Sequence, residues 1–485
     1  MVFTMSKTFE GIYRYIPRYG PEWGSGGIFG LKYHKRVLYF TLAFEAKAYF
    51  LSDEEERLYN FSLVGDPPCS GGDTYNAVTA VDEKIYFGGW VHVKTNEVYS
   101  DRKLRFVNKY SHIHAYDIEL DKVDLLWKEG SGGEDTWVGE VSELIYDEIN
   151  NQLFVARGDG HENLGLFSFD LEKQRMQQLS EEPALKGSIL MDYAIFTKGG
   201  IFFDGLQIVD IDKGNKCNMI EVEDLSNGSR DGQPFDNVVR IVGNTGTTAN
   251  RFFIFLQGGF LVGNPVEYDE SHSKMSFVRL FDFVKSSYSP FRVNTLPIRG
   301  GLLTAYNTLP DMLGRKDPAL IAPSVLIFIS PPIAKIVGVF GTRVTSIEKA
   351  GSKILVAANT MPNTGEPIAI DNGHRDIVIL SDEFLDNTPP PFYLSTNGAI
   401  VEDDVWGGIP LTGYKERKLI LRLTKTNELS IFEYDVLNPD PVDYVEEKEY
   451  LTEGKNVIDL SGYAGIVSFK LKNIDPKAKI RIELM

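Results

Sequence analysis

Short runs of alternating hydrophobic and polar residues recur along the chain, and glycine-rich or polar turns separate them. The stretch after residue 27 divides into four such runs, IFGLKYH, VLYFTLAF, AKAYFLS and RLYNFSLV. Alternation with a period of two residues is typical of a β-strand, and no long stretch keeps the i, i+3, i+4, i+7 spacing of an amphipathic helix. The pattern therefore predicts an all-β protein made of short strands.

The four-strand pattern repeats. A Ser-Gly-Gly triplet precedes the copies that begin near residues 28, 73 and 134, and looser copies lie at 188–223, near 238, near 342 and at 418–436. Units of roughly 40–60 residues with four strands each are typical of a β-propeller, in which radially stacked sheets (blades) hide one another's apolar faces. We expect seven four-stranded blades, with six or eight as alternatives.

The triplets and the chain ends fit this arrangement. We interpret Ser-Gly-Gly as the link from the outer strand of one blade to the inner strand of the next, where crowding and positive φ angles favour glycine; chance in a glycine-rich chain is the alternative. We predict a propeller over residues 1–450 and a C-terminal β-strand extension over 451–485 that closes or caps the ring or forms a small β-sandwich fragment. The segment 8–17 is expected to add a strand to the closing blade.

Composition narrows the function classes. The 485 residues carry a formal net charge of −18 and no basic run, which argues against nucleic-acid binding. The acidity indicates either simple solubility or attraction for cations or a basic partner. The most apolar stretch, 319–340, contains prolines and a lysine and fits two short strands better than a membrane-spanning helix. No apolar core of a signal peptide stands at the N-terminus, so we expect a cytoplasmic protein without a membrane partner.

The candidate ligand-binding residues lie on loops of one predicted face. The links between blades and the turns between second and third strands converge there at the channel mouth. The glycine-punctuated turn RGDGHENLG, 157–165, is the most suggestive of them, although Asp, Gly and Asn also favour turns on conformational grounds alone. The predicted ligand-binding set is Asp73, Asp135, Asp159, His161, Glu162, Asn163, His374 and Arg375.

A subset of residues has the chemistry of metal ligands. Imidazole and carboxylate groups from different loops suit a divalent transition metal, or general acid and base work. His112 and His114 are two positions apart on a predicted strand and therefore face the same side, which suits two metal ligands or a solvated strand face. The candidate ligands of one divalent metal ion are His161, Asp159, His112 and His114.

The segments GIYRYIPRYGPEWGSGGIFG, YFGGWVH and LFVARGDGHENLGLFSFDLE resemble uncharacterised propeller-like proteins of hyperthermophilic archaea, a family defined only as a domain of unknown function. The resemblance would cover most of the chain. It implies a propeller fold and no particular activity. The recurrent signatures of WD and kelch propellers do not occur here.

Three functions remain open at this point. The first is a binding or scaffold protein that holds a small molecule or a protein on the glycine-rich face, because no specific catalytic motif occurs. The second is a metal-dependent hydrolase or lyase with an Asp/His/Glu site in the central channel. The third is a structural subunit whose C-terminal strands pair with another chain.

Overall fold

The computed structural model of this chain describes residues 12–15, 27–42, 45–53, 55–65, 71–96, 105–131, 136–225, 240–266, 275–284, 288–308, 322–362, 375–402, 404–437 and 446–485. Strands dominate these residues. The helical segments among them are short: 3-10 turns at Phe61–Val64 and Asp382–Asp386 and single α-turns at Val222–Leu225 and Gly398–Val401. No helix among the described residues has the length and apolar character needed to cross a membrane.

The chain folds into a β-propeller, as the repeat pattern predicts. An N-terminal strand is followed by the strands of three antiparallel sheets, which we call blades 1, 2 and 3. The N-terminal strand is β1 (Ile12–Tyr15), and blade 1 contains β2 (Ile28–His34), β3 (Val37–Leu42), β4 (Lys47–Leu51) and β5 (Glu56–Asn60). Blade 2 contains β6 (Gly71–Asp73), β7 (Val78–Val81), β8 (Lys84–Asn96), β9 (Arg105–Asp117) and β10 (Lys122–Gly130). Blade 3 contains β11 (Glu143–Asp147), β12 (Gln152–Arg157), β13 (Gly165–Asp170) and β14 (Arg175–Ser180).

Four further sheets, blades 4 to 7, continue the same order. Blade 4 contains β15 (Ala184–Leu190), β16 (Tyr193–Lys198), β17 (Gly205–Asp210) and β18 (Lys216–Glu221), and blade 5 contains β19 (Val242–Thr248), β20 (Arg251–Leu256), β21 (Gly259–Gly263) and β22 (Met275–Arg279). Blade 6 contains β23 (Leu296–Ile298), β24 (Gly301–Tyr306), β25 (Ser324–Ser330) and β26 (Ile333–Phe340). Blade 7 contains β27 (Thr342–Ala350), β28 (Lys353–Pro362) and β29 (Arg375–Ser381).

The first strands of these blades surround a common axis. Each contacts the first strands of its two neighbours, and β2 of blade 1 contacts β27 of blade 7, so the ring is closed. The outer strand of blade 7 is β1, which pairs antiparallel with β29. The N-terminal segment therefore adds the expected closing strand.

The described residues of the Ser-Gly-Gly segments lie at blade junctions: Gly27 directly before β2, Gly71 and Gly72 within β6 at the start of blade 2, and Ser131 directly after β10. Their described residues include Gly72 in β6, which does not have a positive φ angle. A Cβ atom on Gly72 would lie 2.1 Å from the Trp90 carbonyl oxygen. Close approach of two backbones, rather than a positive φ angle, therefore requires glycine at this link.

A β-sandwich follows the propeller. Its strands are β30 (Phe392–Asn397), β31 (Trp406–Pro410), β32 (Arg417–Leu423), β33 (Asn427–Tyr434), β34 (Glu446–Leu451), β35 (Gly454–Asp459), β36 (Ile466–Leu471) and β37 (Lys479–Leu484). They form two four-stranded sheets, in the orders β30-β37-β32-β35 and β31-β36-β33-β34. The strand pairing differs from the predicted division at residue 450, because strands from 392–434 pair with strands from 446–484 rather than with a blade.

The sandwich and blades 5 and 6 share one hydrophobic core, in which Trp406 of β31 lies 6.2 Å from Phe283 between ring centroids. A buried charge cluster lies at the same junction. The Asp282 carboxylate is 2.6 Å from Arg279 and 3.3 Å from Arg240, and the Asp282 backbone exchanges two hydrogen bonds with Gly407. The propeller and the sandwich are therefore joined by packing, charge and backbone pairing together.

Candidate functional site

The segment between the two pieces of the first strand of blade 2, residues 74–77, fills the centre of the ring. All four residues are buried. The Asn76 side chain accepts a hydrogen bond from the Gly30 amide of blade 1 (2.6 Å). It donates to the carbonyl oxygens of Arg292 (2.9 Å), in the link to blade 6, and of Thr345 (3.2 Å), in blade 7. Because one side chain reaches three blades, this segment lies on the axis, and we call it the central plug.

Lys186 of blade 4 holds the plug from the opposite side. Its ammonium group donates to the carbonyl oxygens of Tyr75 and Ser142, each at 2.6 Å, and lies 3.3 Å from the Glu143 carboxylate. Burial lowers the pKa of Lys186 and raises the pKa of Glu143, while the attraction between the two charges opposes both shifts. The pair therefore belongs to the scaffold of blades 2, 3 and 4.

Two arginines complete the buried polar centre. The Arg292 guanidinium carbon lies 4.3 Å from the centre of the Tyr75 ring, a cation–π distance. Burial, and next the positive charge of Arg292, lower the pKa of Arg343 to about 9. Burial raises the pKa of Tyr75 well above its usual value; the Arg292 charge opposes this rise, and the carboxylates of Asp159 and Glu140 add to it. Asp159 therefore lies within electrostatic reach of the plug.

The turn 158–164 of blade 3 lies against the link 136–140 that precedes the same blade. The amide groups of His161 and Glu162 both donate to the Trp137 carbonyl oxygen, at 2.8 and 3.2 Å. In return, the Gly139 amide donates to the Glu162 backbone carbonyl oxygen and the Glu140 amide to the Asp159 backbone carbonyl oxygen, each at 2.7 Å. The link and the second-to-third turn therefore share one face of the molecule, as predicted.

A glycine makes this close contact possible. Gly160 has a φ angle of 153°, and a Cβ atom there would lie 2.6 Å from the Cα atom of Gly139. Beneath the turn, the buried Arg157 donates to the Gly139 carbonyl oxygen at 3.0 Å and pairs with the Glu129 carboxylate at 2.6 Å. The side-chain amide of Asn163 also donates to the Glu129 carboxylate, at 3.1 Å. Both ends of the turn are therefore fixed.

The turn carries an aromatic contact and two acidic residues. The exposed ring of His161 lies on the Trp137 ring, with 4.0 Å between centroids and 31° between planes. Asp159 and Glu162, on either side of His161 in sequence, are half-buried. We call these four residues the blade 3 platform. Among the described residues, no ion pair or side-chain hydrogen bond engages either carboxylate of the platform.

His112 and His114 do face the same side of one strand, but that side is fully buried between blades 1 and 2. Their Nδ1 atoms lie 3.0 Å apart, and the His114 ring stacks on Phe87 at 5.1 Å. Burial lowers the pKa of His112 well below its usual value and that of His114 to about 3. The alternative of a solvated strand face is therefore wrong for this pair.

The structure says less about the other predicted residues. Asp135 and His374 lie outside the described residues, and Asp73 and Arg375 are described only as backbone, in β6 and β29. Within the described part of the chain, no three His, Cys, Asp or Glu side chains come together as a metal-binding group. In particular, the buried histidine pair and the Asp159–His161 turn do not form one such group.

Sequence reasoning missed the central plug. Lys186 and Arg292 stand beside apolar residues without any motif, and the contacts of Tyr75 and Asn76 with them join parts of the chain that are far apart in sequence. The one local signal was the segment DTYN directly after a Ser-Gly-Gly triplet. Its residues Thr74, Tyr75 and Asn76 are buried in the structure and are not exposed as in a surface loop.

Residues 38–367, more than half of the chain, match the family described as "Uncharacterized protein conserved in archaea (DUF2139)". The chain belongs to this family. The resemblance to an uncharacterised archaeal family is thereby confirmed, and membership in DUF2139 brings no activity with it. No curated protein matches the sequence.

Solved propeller structures resemble this DUF2139 protein at low identity. Sqt1 from Saccharomyces cerevisiae has 11% identity over 77% of this chain and 100% of its own, with a TM-score of 0.40. YCF48 bound to D1 peptide has 7% identity over 76% and 96%, with a TM-score of 0.42. The extracellular domain of the two component system protein BT4673 from B. thetaiotaomicron has 10% identity and a TM-score of 0.30. The match covers 71% of this chain and about half (51%) of that domain. None of these likenesses carries an argument about function.

Proposed function

We propose that this DUF2139 protein is a binding protein that holds a protein partner on the face of the ring formed by the inter-blade links and the second-to-third turns. The observation that carries the proposal is the blade 3 platform, a fixed turn that presents an aromatic pair and two carboxylates without ion-pair partners among the described residues. Aromatic residues with polar neighbours are typical of protein–protein contact sites.

The architecture supports a binding role over a catalytic one. The plug at the centre of the ring is packed: Asn76 of the plug and Lys186 of blade 4 donate to backbone carbonyl oxygens rather than face an opening. No arrangement of described side chains favours the metal-dependent hydrolase or lyase, so we propose the binding role alone. Buried charges at a propeller axis then serve to fix the blades that carry the loops.

Site-specific photo-crosslinking tests the proposal. A photoreactive phenylalanine analogue replaces His161 in one variant and Lys173 in a control, since both are exposed turn residues of blade 3 at opposite ends of β13. In a lysate of an archaeon that carries the family, we expect a crosslinked protein from position 161 and none from position 173. The captured protein is then purified, and its binding to the wild-type protein and to His161→Ala is measured.

Two results would contradict the proposed face. One is equal crosslinking from both positions, which indicates random collision. The other is a purified partner that binds the wild-type protein and His161→Ala with the same affinity, and whose crosslinking to position 161 is not reduced when unlabelled wild-type protein is added as a competitor.

A further inference from the structure

We infer that the outward face of the sandwich sheet β30-β37-β32-β35 binds an acidic protein segment, whose carboxylates pair with Lys479, Arg422 and Lys455. We call these three side chains the basic row. The row belongs to the sandwich and not to the ring face of the proposed function, so either proposal can fail without the other.

Strand register brings the basic row together. Arg422 of β32 lies directly opposite Lys479 of β37 on one side and Lys455 of β35 on the other. All three residues are exposed, whereas Leu421 and Leu423 on either side of Arg422 are buried, so the row points away from the sandwich core. Because neighbouring strands are about 4.8 Å apart, the row presents three cations within a width of about 10 Å.

A second row of the same face, which we call the paired row, is neutralised. Its Lys418 lies opposite Glu483 and Asp459, and the Lys418 ammonium group is 3.0 Å from the Glu416 carboxylate. In contrast, no ion pair or side-chain hydrogen bond with any described residue engages a member of the basic row. Like charges directly opposite one another destabilise a sheet, and a bound anion would remove this repulsion.

The field at the basic row is positive although the chain has a formal net charge of −18. The closest carboxylate of the paired row in the same strand belongs to Asp459, four residues from Lys455, which corresponds to about 13 Å along β35. The Debye length at physiological ionic strength is about 8 Å, so the paired row and more distant acidic groups are largely screened there. A short anionic segment therefore meets mainly the three cations.

The chemistry beside the row favours a protein segment over a nucleic acid. Ile420 and Val457 lie next to the row on the same face, and Val457 is 55% exposed. Apolar side chains of a peptide can pack on them, whereas the bases of a single strand stack on aromatic rings, which neither of these two rows of described residues contains. A long polyanion also gains little from a patch about 10 Å wide on a molecule with this net charge.

Fluorescence anisotropy at about 0.15 M salt tests the inference. The probes are a short labelled peptide with three glutamates at alternate positions among serines and glycines, the same peptide with glutamine in place of glutamate, and a labelled single-stranded tetranucleotide. We expect the glutamate peptide to bind about tenfold more tightly than the glutamine peptide, and its affinity to fall as salt rises. A tetranucleotide that binds as tightly as the glutamate peptide would overturn the inference in favour of a nucleic-acid ligand.

Charge variants locate the site. Arg422→Gln, Lys455→Gln and Lys479→Gln should each weaken the glutamate peptide about three- to tenfold. Lys216→Gln is the matched control and should change nothing, because Lys216 is an exposed lysine of β18 without an ion pair to any described residue.

A charge reversal separates lost binding from lost folding. Lys455→Glu places a carboxylate opposite Arg422, so it should abolish peptide binding and raise the thermal midpoint at the same time. A merely structural role of the row would not give this combination.

Two results would show that the inference is wrong. One is a variant with all three glutamine substitutions that binds the glutamate peptide like the wild type. The other is equal affinity of the wild-type protein for the glutamate and glutamine peptides. Crosslinking from position 161 reports on the ring face alone, so neither result bears on the proposed function.

Discussion

At the scale of single residues, Asn76 is the side chain on which the closed ring depends most directly. Its φ angle of 61° is in the left-handed region, which asparagine tolerates better than most residues. This conformation aims the amide group across the axis at blades 1, 6 and 7. No neighbouring residue duplicates these three bonds among the described contacts of the plug.

Replacement of Asn76 by alanine should lower the free energy of unfolding by about 3 kcal/mol or more, because it leaves one amide and two carbonyl groups buried without these partners. The measurement is the urea midpoint of unfolding. Asn250→Ala is the matched control, since Asn250 also has a left-handed φ angle (60°) but lies in an exposed turn. A loss of stability no larger than the control's would show that the left-handed backbone, and not the three hydrogen bonds, accounts for the effect.

His112 and His114 make the stability depend on pH. Both are neutral in the folded protein because burial lowers their pKa values, that of His114 to about 3, whereas the unfolded chain binds protons at about pH 6.5. The unfolded state therefore binds more protons below pH 6.5, and the free energy of unfolding falls as the pH falls. Each histidine contributes about 1.4 kcal/mol per pH unit in this window.

We expect the urea midpoint to fall between pH 7 and pH 5, and to fall less steeply in His114→Phe, which keeps a ring beside Phe87 and takes up no proton. His161→Ala is the control, because that ring is exposed. A wild-type slope equal to that of His114→Phe would show that the buried pair does not titrate between the two states.

At the scale of elements, the sequence pattern predicted strands far better than it predicted their partners. The run IFGLKYH coincides with β2 (Ile28–His34), and the described part of VLYFTLAF, residues 37–42, coincides with β3. Period-two alternation and turn residues are local features, so a single sequence is enough to recognise them. The blade 3 turn was predicted for the same reason, because its polar residues are consecutive.

The pairing between strands that are distant in the chain could not be predicted from the sequence pattern. The segment 418–436 alternates like a blade and was interpreted as one, yet β32 pairs with β35 and β37, and β33 with β34 and β36. A sandwich strand and a blade strand have the same period, so only the partner tells them apart. The central plug shows the same limit, since Lys186 and Tyr75 are 111 residues apart in the chain.

At the scale of the whole molecule, the propeller and the sandwich behave as one packed body. Phe281, Phe283 and Tyr288, in the link after blade 5, are fully buried in the core that the sandwich completes. The same link carries Asp282, which the Arg279 and Arg240 charges and the Gly407 backbone hold in place. The sandwich therefore covers apolar surface of the ring rather than extending from it.

A chain that ends at Asn387 should consequently fold poorly although every described blade strand is present. Removal of the sandwich exposes the aromatic side chains of that link, and an exposed apolar patch of this kind favours aggregation or binding of a hydrophobic dye. The measurements are size-exclusion chromatography and dye fluorescence, with residues 388–485 added as a separate chain to restore a soluble, dye-free complex. A soluble monomer of residues 1–387 with the thermal midpoint of the full chain would contradict this, and would mean that the ring closes and packs without its neighbour.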